Sequence, residues 1–212
     1  MDNRIQFDVR DITRIAVFAA ILAVLGVPGA IPAFGGAVPI TAQTLGVMLA
    51  GAILGSWRGA AAVLVFEVLV LIGLPLLSGG RGGAGVFVGP SAGYLIGWIF
   101  GAFVIGAVVR AGIGKPTGWR TALGCVVGGI VVVYAFGIPV QALVTGLPLG
   151  PTALSSAVFL LGDIAKVLVT TIITQALWRA YPRAFQRRAT SSASRIPQVD
   201  AVLDRQRGGE TE

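Results

Sequence analysis

Long apolar runs, separated by short clusters of glycine, proline and basic residues, make up most of this chain. A membrane-spanning helix needs about 20 mostly apolar residues, and six runs approach or reach that length. The pattern predicts six helices, at about residues 12–27, 41–55, 59–77, 91–110, 121–144 and 152–181. The first two are short, which indicates a span that is tilted, broken or partly embedded beside its loop, and leaves five and seven helices as alternatives to six.

The character of the chain changes after residue 182, where about thirty polar residues with several arginines begin. Such a segment cannot bury enough apolar surface to fold alone. Residues 1–182 are therefore predicted to form one all-α, six-helix membrane domain that binds a substrate. Residues 183–212 are predicted to be a disordered basic cytoplasmic tail.

Composition supports an integral, multi-pass membrane protein, because 55% of the residues are hydrophobic and only 12% are charged. A soluble domain carries about 25% charged residues. In a six-helix arrangement nearly all basic loop residues fall on one side, and Arg81 is alone on the other. The positive-inside rule then predicts that both termini are cytoplasmic. This orientation accounts for the net charge of +7, so nucleic acid is not an expected partner.

Aromatic residues agree with this orientation. Trp57, Trp119 and Trp178 each directly precede an arginine, as in an interfacial belt of aromatic and basic anchors. The Trp57-Arg58 pair is predicted to form the cytoplasmic turn between the second and third helices. The first helix is expected to stay in place rather than be cleaved as a signal peptide, because acidic residues are mixed into the arm before it.

Several kinds of chemistry are excluded by residue type. The chain has no histidine and a single cysteine, Cys125. It therefore has no His/Cys cluster for a metal, no internal disulfide and no histidine base for a serine nucleophile. We expect neither an enzyme nor a bound cofactor.

Two charges stand out in the last predicted helix. Residues 121–162 contain no Asp, Glu, Lys or Arg, and the run then presents Asp163 and Lys166. Residues three apart share one face of a helix, and ionisable groups at membrane depth usually mark function. The pair is either a ligand site or an ion pair that satisfies only itself. Glu67, in the third helix, is protonated, paired with Lys166 or bonded to a neighbouring helix.

Two glycine- and proline-rich loops are predicted on the outward side, over a ligand pocket. The first, residues 28–39, reads PGAIPAFGGAVP and has no charge, which suggests that it folds back into the protein. The second, residues 77–90, reads LSGGRGGAGVFVGP. Its Arg81 either forks onto a ligand carboxylate or is an exposed side chain without a specific contact.

Four motifs occur in order along the chain. Residues 39–51 read PITAQTLGVMLAG, residues 73–75 GLP, residues 89–97 GPSAGYLIG and residues 163–166 DIAK. With these motifs the chain, over roughly residues 10–182, resembles the BioY family, the biotin-binding S components of energy-coupling-factor (ECF) transporters. The resemblance implies high-affinity biotin capture and uptake across a prokaryotic cell membrane. It also implies partner subunits, namely a transmembrane T subunit and ABC ATPases, since this chain has no GxxxxGK[ST] phosphate loop.

The resemblance also implies roles for individual residues. Asp163 and Lys166 match the motif of the sixth helix, and Gln43 and Tyr94 match pocket positions, whereas Arg81 falls in a variable part of the loop. An ionised Asp163 can only accept hydrogen bonds, which suits the urea N–H groups of biotin, and Lys166 can only donate, to the valerate or the urea oxygen. Tyr94 and Trp98 either wall the biotin ring or pack against lipid.

Small residues on the first helix are the expected docking surface for the T subunit. Ala16 and Ala20 form one AxxxA pattern, and Ala23 completes an overlapping one with Ala19; small side chains let helices approach closely in lipid. The alternative is ordinary internal packing.

Two other functions stay open on the sequence. The first is a proton-coupled secondary transporter of a small carboxylate, in which Glu67, Asp163 and Lys166 relay the proton. The second is an S component for a different vitamin.

Overall fold

The computed structural model describes residues 8–29, 38–111 and 116–181. Most of the predicted first outward loop and the whole predicted tail lie outside the described residues. Within the described ranges the chain is helical, without a β-strand, as predicted. These ranges contain seven α-helices and a 3₁₀ turn at Ala84–Phe87; the helices are α1 Val9–Val24, α2 Gln43–Leu54, α3 Ser56–Leu71, α4 Ala92–Arg110, α5 Gly118–Thr145, α6 Leu149–Ser156 and α7 Val158–Ala180.

Three of these helices, α4, α5 and α7, are long and apolar enough to cross a membrane. Their outer faces carry large exposed apolar side chains, for example Leu161, Leu168 and Ile172 on α7. Such faces suit a lipid environment, in which apolar side chains need no protein cover. A membrane protein is therefore confirmed at this level.

The predicted helix boundaries were wrong at three places. The Trp57-Arg58 turn is the first turn of α3, because Gly55 alone, at φ +88°, reverses the chain after α2. Helix α3 ends at Leu71 instead of about residue 77, since Gly73 takes φ +109° and Pro75 cannot continue a helix.

The third difference is a break in the last predicted helix, at Ala157 between α6 and α7. The hydroxyls of Ser155 and Ser156 both donate to the carbonyl oxygen of Thr152, each at 2.8 Å. Serine hydroxyls that bond back to the helix backbone compete with its amide ladder and bend it. Two adjacent serines of this kind precede the break directly.

Helix α4 is the central element and packs against α2, α3 and α5. Glycines allow these approaches. A Cβ at Gly106 would fall on the backbone of Gly55 and Ser56, and Gly101 of α4 faces Gly128 of α5. Close backbone contact of this kind is the usual way in which helices associate in lipid.

A π-helical segment, Cys125–Val132, interrupts the α-helical hydrogen bonding of α5. Its adjacent glycines face different neighbours: Gly128 meets α4, whereas Gly129 meets Met48 of α2. The wider turn therefore lets one helix pack on two others at the same level. π-bulges are often found near functional sites, and Gly129 also lines the cavity described below.

At the end of the bundle where α1 begins, two arginines connect helix ends. Arg58 of α3 forms a salt bridge with Asp11 of α1, with Nη2 and Oδ2 2.9 Å apart. Arg110 of α4 donates to the carbonyl oxygen of Ile53, 2.8 Å away, near the end of α2. The start of α1, the α2–α3 turn and the end of α4 therefore lie together.

We predict that Gly106→Ala lowers the melting temperature of the detergent-purified chain, because its methyl group has no space against α2 and α3. Overpacking of this kind costs about 1–3 kcal/mol. Gly162→Ala in α7 is the matched control, since its Cβ would meet only Ile40 Cγ2, at 3.9 Å. Equal melting temperatures for both variants would contradict this packing.

Candidate functional site

A cavity lies between α2, α4, α5 and α7, and the segments at residues 38–41 and 77–81 border it. Of the five residues predicted to bind the ligand, four lie on helices and Arg81 lies in a loop. The cavity lining includes all five: Gln43, Arg81, Tyr94, Asp163 and Lys166.

The ion pair of Asp163 and Lys166 is present and almost fully buried. Lys166 Nζ lies 3.0 Å from Asp163 Oδ1, and the side chains are 15% and 5% exposed, respectively. Taking two charges out of water costs several kcal/mol each, so such a pair needs further hydrogen bonds. Both charges have them.

The additional partners come from two other helices. Lys166 Nζ donates to Thr44 Oγ1 of α2 at 2.7 Å, and Tyr134 of α5 donates its hydroxyl to Asp163 Oδ2 at 2.7 Å. An ammonium has three donors and a carboxylate about four acceptor sites. The group therefore retains at least one donor and two acceptor sites for a bound molecule.

Aromatic rings form the wall beside this polar group. The ring of Tyr94 meets those of Tyr134 and Phe159 edge to face, each at a centroid distance of 6.3 Å. Trp98 also lines the cavity, and its ring packs on Phe66 behind it. Aromatic rings therefore line the cavity beside the Asp163–Lys166 pair.

The polar end of Tyr94 is used inside the protein. Its hydroxyl donates to Gln141 Oε1 at 2.8 Å and lies 3.0 Å from Ser156 Oγ. Gly137 makes room for the ring, because a Cβ there would overlap it. Tyr94 therefore contributes a ring face to the cavity, while its hydroxyl ties α4 to α5 and α6.

Gln43 is the first residue of α2 and is only 1% exposed. Its amide nitrogen donates to the carbonyl oxygens of Leu22 and Leu76, and its oxygen accepts from the amide of Ser78. The side chain lines the cavity, but its hydrogen bonds go to the protein.

Arg81 closes a small hairpin at the cavity edge, opposite Leu77. Leu77 and Arg81 exchange backbone hydrogen bonds of 3.0 and 3.2 Å, and Gly79 and Gly80 make the turn with φ of +79° and +70°. Both positions favour glycine because other residues are strained there. The guanidinium Nε donates to Ser78 O at 3.3 Å, so the two terminal nitrogens remain as donors for other partners.

Glu67 does not belong to this site. It is 5% exposed on α3, and no described residue hydrogen-bonds its Oε1. The predicted alternative of a Glu67–Lys166 pair is wrong, since the hydrogen bonds of Lys166 go to Thr44 and Asp163.

The three alanines on α1 do not share one environment. Ala16 and Ala20 are exposed on the outer face, Ala23 is partly buried, and Ala19 between them packs in the core. An open small-residue surface therefore exists at Ala16 and Ala20, away from the cavity.

Sequence reasoning missed Thr44 and Tyr134 as site residues. Thr44 stands beside Gln43 within the motif at residues 39–51, so its position was a usable signal. Tyr134 lies in an uncharged apolar run. A phenol hardly changes hydropathy, but inside such a run it needs a partner for its hydroxyl.

Comparison with known proteins gives consistent matches. The model of the BioY family matches residues 1–183. The biotin transporter BioY of Rhodobacter capsulatus is 48% identical over 185 residues, covering 82% of this chain and 96% of that protein. The biotin transporter BioY of Rhizobium etli is 46% identical over 180 residues, with coverage of 82% and 95%.

A solved structure is also similar. The crystal structure at 2.1 Å of the S-component for biotin from an ECF-type ABC transporter superposes with a TM-score of 0.76. The sequences are 35% identical, and the match covers 81% of this chain and 92% of that one.

We predict that Lys166→Met and Asp163→Asn each lower the melting temperature in detergent, because each leaves the other charge buried without its counterion. Breaking a buried pair costs about 3–5 kcal/mol, whereas replacing both partners is often nearly neutral. The double variant should therefore melt closer to the wild type than either single variant does.

Leu161→Ala on the exposed face of α7 is the control and should change the melting temperature little. A double variant that loses the sum of the two single losses would show that the charges do not depend on each other.

Proposed function

The chain belongs to the BioY family, and on that premise we propose that it captures biotin for uptake as the substrate-binding S component of an ECF-type ABC transporter. The observation that carries the proposal is the position of the buried Asp163–Lys166 pair, which lines a cavity in a chain 48% identical to a biotin transporter. A pair that only stabilised the fold would not need to border a cavity. The family consists of transporter S components, so the chain is not an enzyme.

We place the chain in the cell membrane as a multi-pass protein with six spans and both termini cytoplasmic. The spans are α1, α2, α3, α4, α5 and the combined α6 and α7. Arg58 and Arg110 lie together at one end of the bundle, whereas Arg81 lies near the other end of α1, beside Leu76 and Ser78. This separation of basic residues supports an inward end and an outward end with the cavity near the latter.

The length of α2 fits this placement. Its 12 residues extend about 18 Å at 1.5 Å per residue, less than the roughly 30 Å of the hydrocarbon core. The cavity borders the segment directly before its first turn. Helix α2 therefore covers the inner part of the span, and the binding site and loop segment fill the outer part.

The Asp163–Lys166 pair fits the urea group of biotin. The urea has two N–H donors and one carbonyl acceptor, and the remaining acceptor sites of Asp163 suit the N–H groups. The free donor of Lys166, three residues away, suits the urea oxygen. The apolar bicyclic ring then lies against the rings of Tyr94 and Trp98, where burial contributes about 25 cal/mol per Å².

Charge balance assigns the valerate carboxylate to Arg81. Among the described residues, the charged ones that line the cavity are Asp163, Lys166 and Arg81, and the first two neutralise each other. A bound carboxylate adds one negative charge, which Arg81 at the cavity edge offsets by a forked, charge-assisted hydrogen bond. We place Gln43 at the cavity without a direct bond to biotin, since its hydrogen bonds go to Leu22, Leu76 and Ser78.

Energy for uphill uptake must come from partners, a transmembrane T subunit and ABC ATPases. The exposed face at Ala16 and Ala20 supports docking of the T subunit on α1, since small side chains allow helices to approach closely. The glycines of α4 contact α3 and α5 inside this chain, so they are not available for docking a partner.

We predict that the detergent-purified chain binds labelled biotin tightly and that Asp163→Asn and Lys166→Met each weaken binding at least about a hundredfold. Each substitution removes charge-assisted hydrogen bonds of about 1.5–3 kcal/mol apiece. The control is Leu161→Ala, which faces outward from the same helix and should bind like the wild type. The double variant separates binding from folding, because it should remain folded and still fail to bind.

If the folded wild-type chain binds another vitamin but not biotin, the S-component assignment stands and the proposed substrate changes to that vitamin. Uptake by this chain alone that collapses with the proton gradient would favour the secondary transporter instead.

We predict that Ala20→Leu leaves biotin binding unchanged but lowers both co-purification with the T subunit and biotin uptake in cells at least about fivefold. The larger side chain prevents the close helix approach. Ala107→Leu, at an exposed alanine of α4, is the matched control for added bulk. Uptake that is equal in both variants would remove Ala20 from the docking surface.

A further inference from the structure

We propose that Gln43 is a positioning residue that clamps the Arg81 hairpin to the end of α1 and so sets the place of the guanidinium at the cavity. Its hydrogen-bonding capacity is used within the protein. Nε2 donates to Leu22 O at 3.2 Å and to Leu76 O at 3.0 Å, while Oε1 accepts from Ser78 N at 3.1 Å and lies 3.4 Å from Ser78 Oγ.

These partners fix the orientation of the amide. Two carbonyl oxygens on one side require a donor there, and a backbone N–H on the other side requires an acceptor. An amide has two N–H donors and two acceptor lone pairs, so the four contacts account for all of them. Biotin could engage Gln43 only by displacing one of these contacts.

The Leu22 carbonyl needs this partner. It lies in the last turn of α1, where carbonyls have no amide four residues ahead to accept from; the amide of Gly26 bonds Ala23 O instead, at 3.0 Å. Gly26 also allows the loop to approach, since a Cβ there would lie 2.5 Å from Leu76 O and 3.0 Å from Gln43 Nε2. The loop is therefore held directly against α1.

The same loop carries Arg81. Ser78 donates its backbone N–H to Gln43 Oε1, and its carbonyl oxygen accepts the hydrogen bond of Arg81 Nε. Leu77 pairs with Arg81 across the hairpin. A continuous set of contacts thus runs from Gln43 through Ser78 to Arg81, and Ser78 is as buried as Gln43.

The loop part of this inference is independent of biotin and is tested first. In the unliganded, purified chain we expect Gln43→Met to raise hydrogen exchange of a peptide covering residues 76–82 at least tenfold. A peptide from α7 that covers the Asp163–Lys166 pair should exchange as in the wild type. Unchanged exchange at residues 76–82 would overturn the proposal.

A second variant leaves Gln43 in place. Gly26→Ala pushes on Leu76 and on the Gln43 amide from the side of α1, so it should raise exchange of the same peptide. Gly85→Ala in the same loop is the control, because a Cβ there meets nothing within 4 Å. If Gln43→Met does not fold, the pair of glycine variants decides the question on the same readout.

The consequence for the ligand rests on the proposed function. Arg81→Met should weaken biotin binding about tenfold in the wild-type background but less than threefold in the Gln43→Met background, where the guanidinium is already misplaced. Lys166→Met should cost the same factor in both backgrounds. A full tenfold loss from Arg81→Met in both backgrounds would mean that Gln43 acts independently of Arg81, which overturns the positioning role.

Failure of the proposed function gives a different result. The wild type would then not bind biotin, while the exchange measurements would still show whether Gln43 holds the loop.

Discussion

An ion pair buried this deeply is stable only if neighbouring groups replace the water that both charges have lost. Here the neighbours are Thr44, which accepts from Lys166, and Tyr134, which donates to Asp163. Thr44 lies at the beginning of α2, and Tyr134 follows the π-helical segment of α5. The pair therefore sets where three helices meet, and the remaining hydrogen-bonding capacity at that junction is what a ligand can use.

Small residues make this junction possible. Glycines of α4 and α5 allow their backbones to touch, and Gly129 leaves space for Met48 of α2. These contacts pack α4 tightly against α3 and α5, and Gly129 also lines the cavity. The short α2 leaves the segments at residues 38–41 and 77–81 at the edge of a cavity that lies between four helices.

Hydropathy was enough to predict an all-helical membrane chain, and the rarity of charge within an apolar run was enough to find Asp163 and Lys166. The family resemblance drawn from four motifs is confirmed by the match over residues 1–183. The break at Ala157 was not predictable from hydropathy, because serine hydroxyls bend a helix without changing its apolar pattern. Tyr134 escaped for a similar reason, since a phenol barely alters an apolar run. The contacts of Gln43 depend on three segments distant in sequence, so only the folded chain reveals them.

The structure of the chain with bound biotin, determined experimentally, would test the central claim most directly. The account predicts that the urea N–H groups lie within hydrogen-bonding distance of Asp163, the urea oxygen near Lys166, and the carboxylate at Arg81, with the Tyr134 and Thr44 contacts retained. Biotin bound elsewhere, with the Asp163–Lys166 pair untouched, would reduce that pair to a structural element and contradict the account.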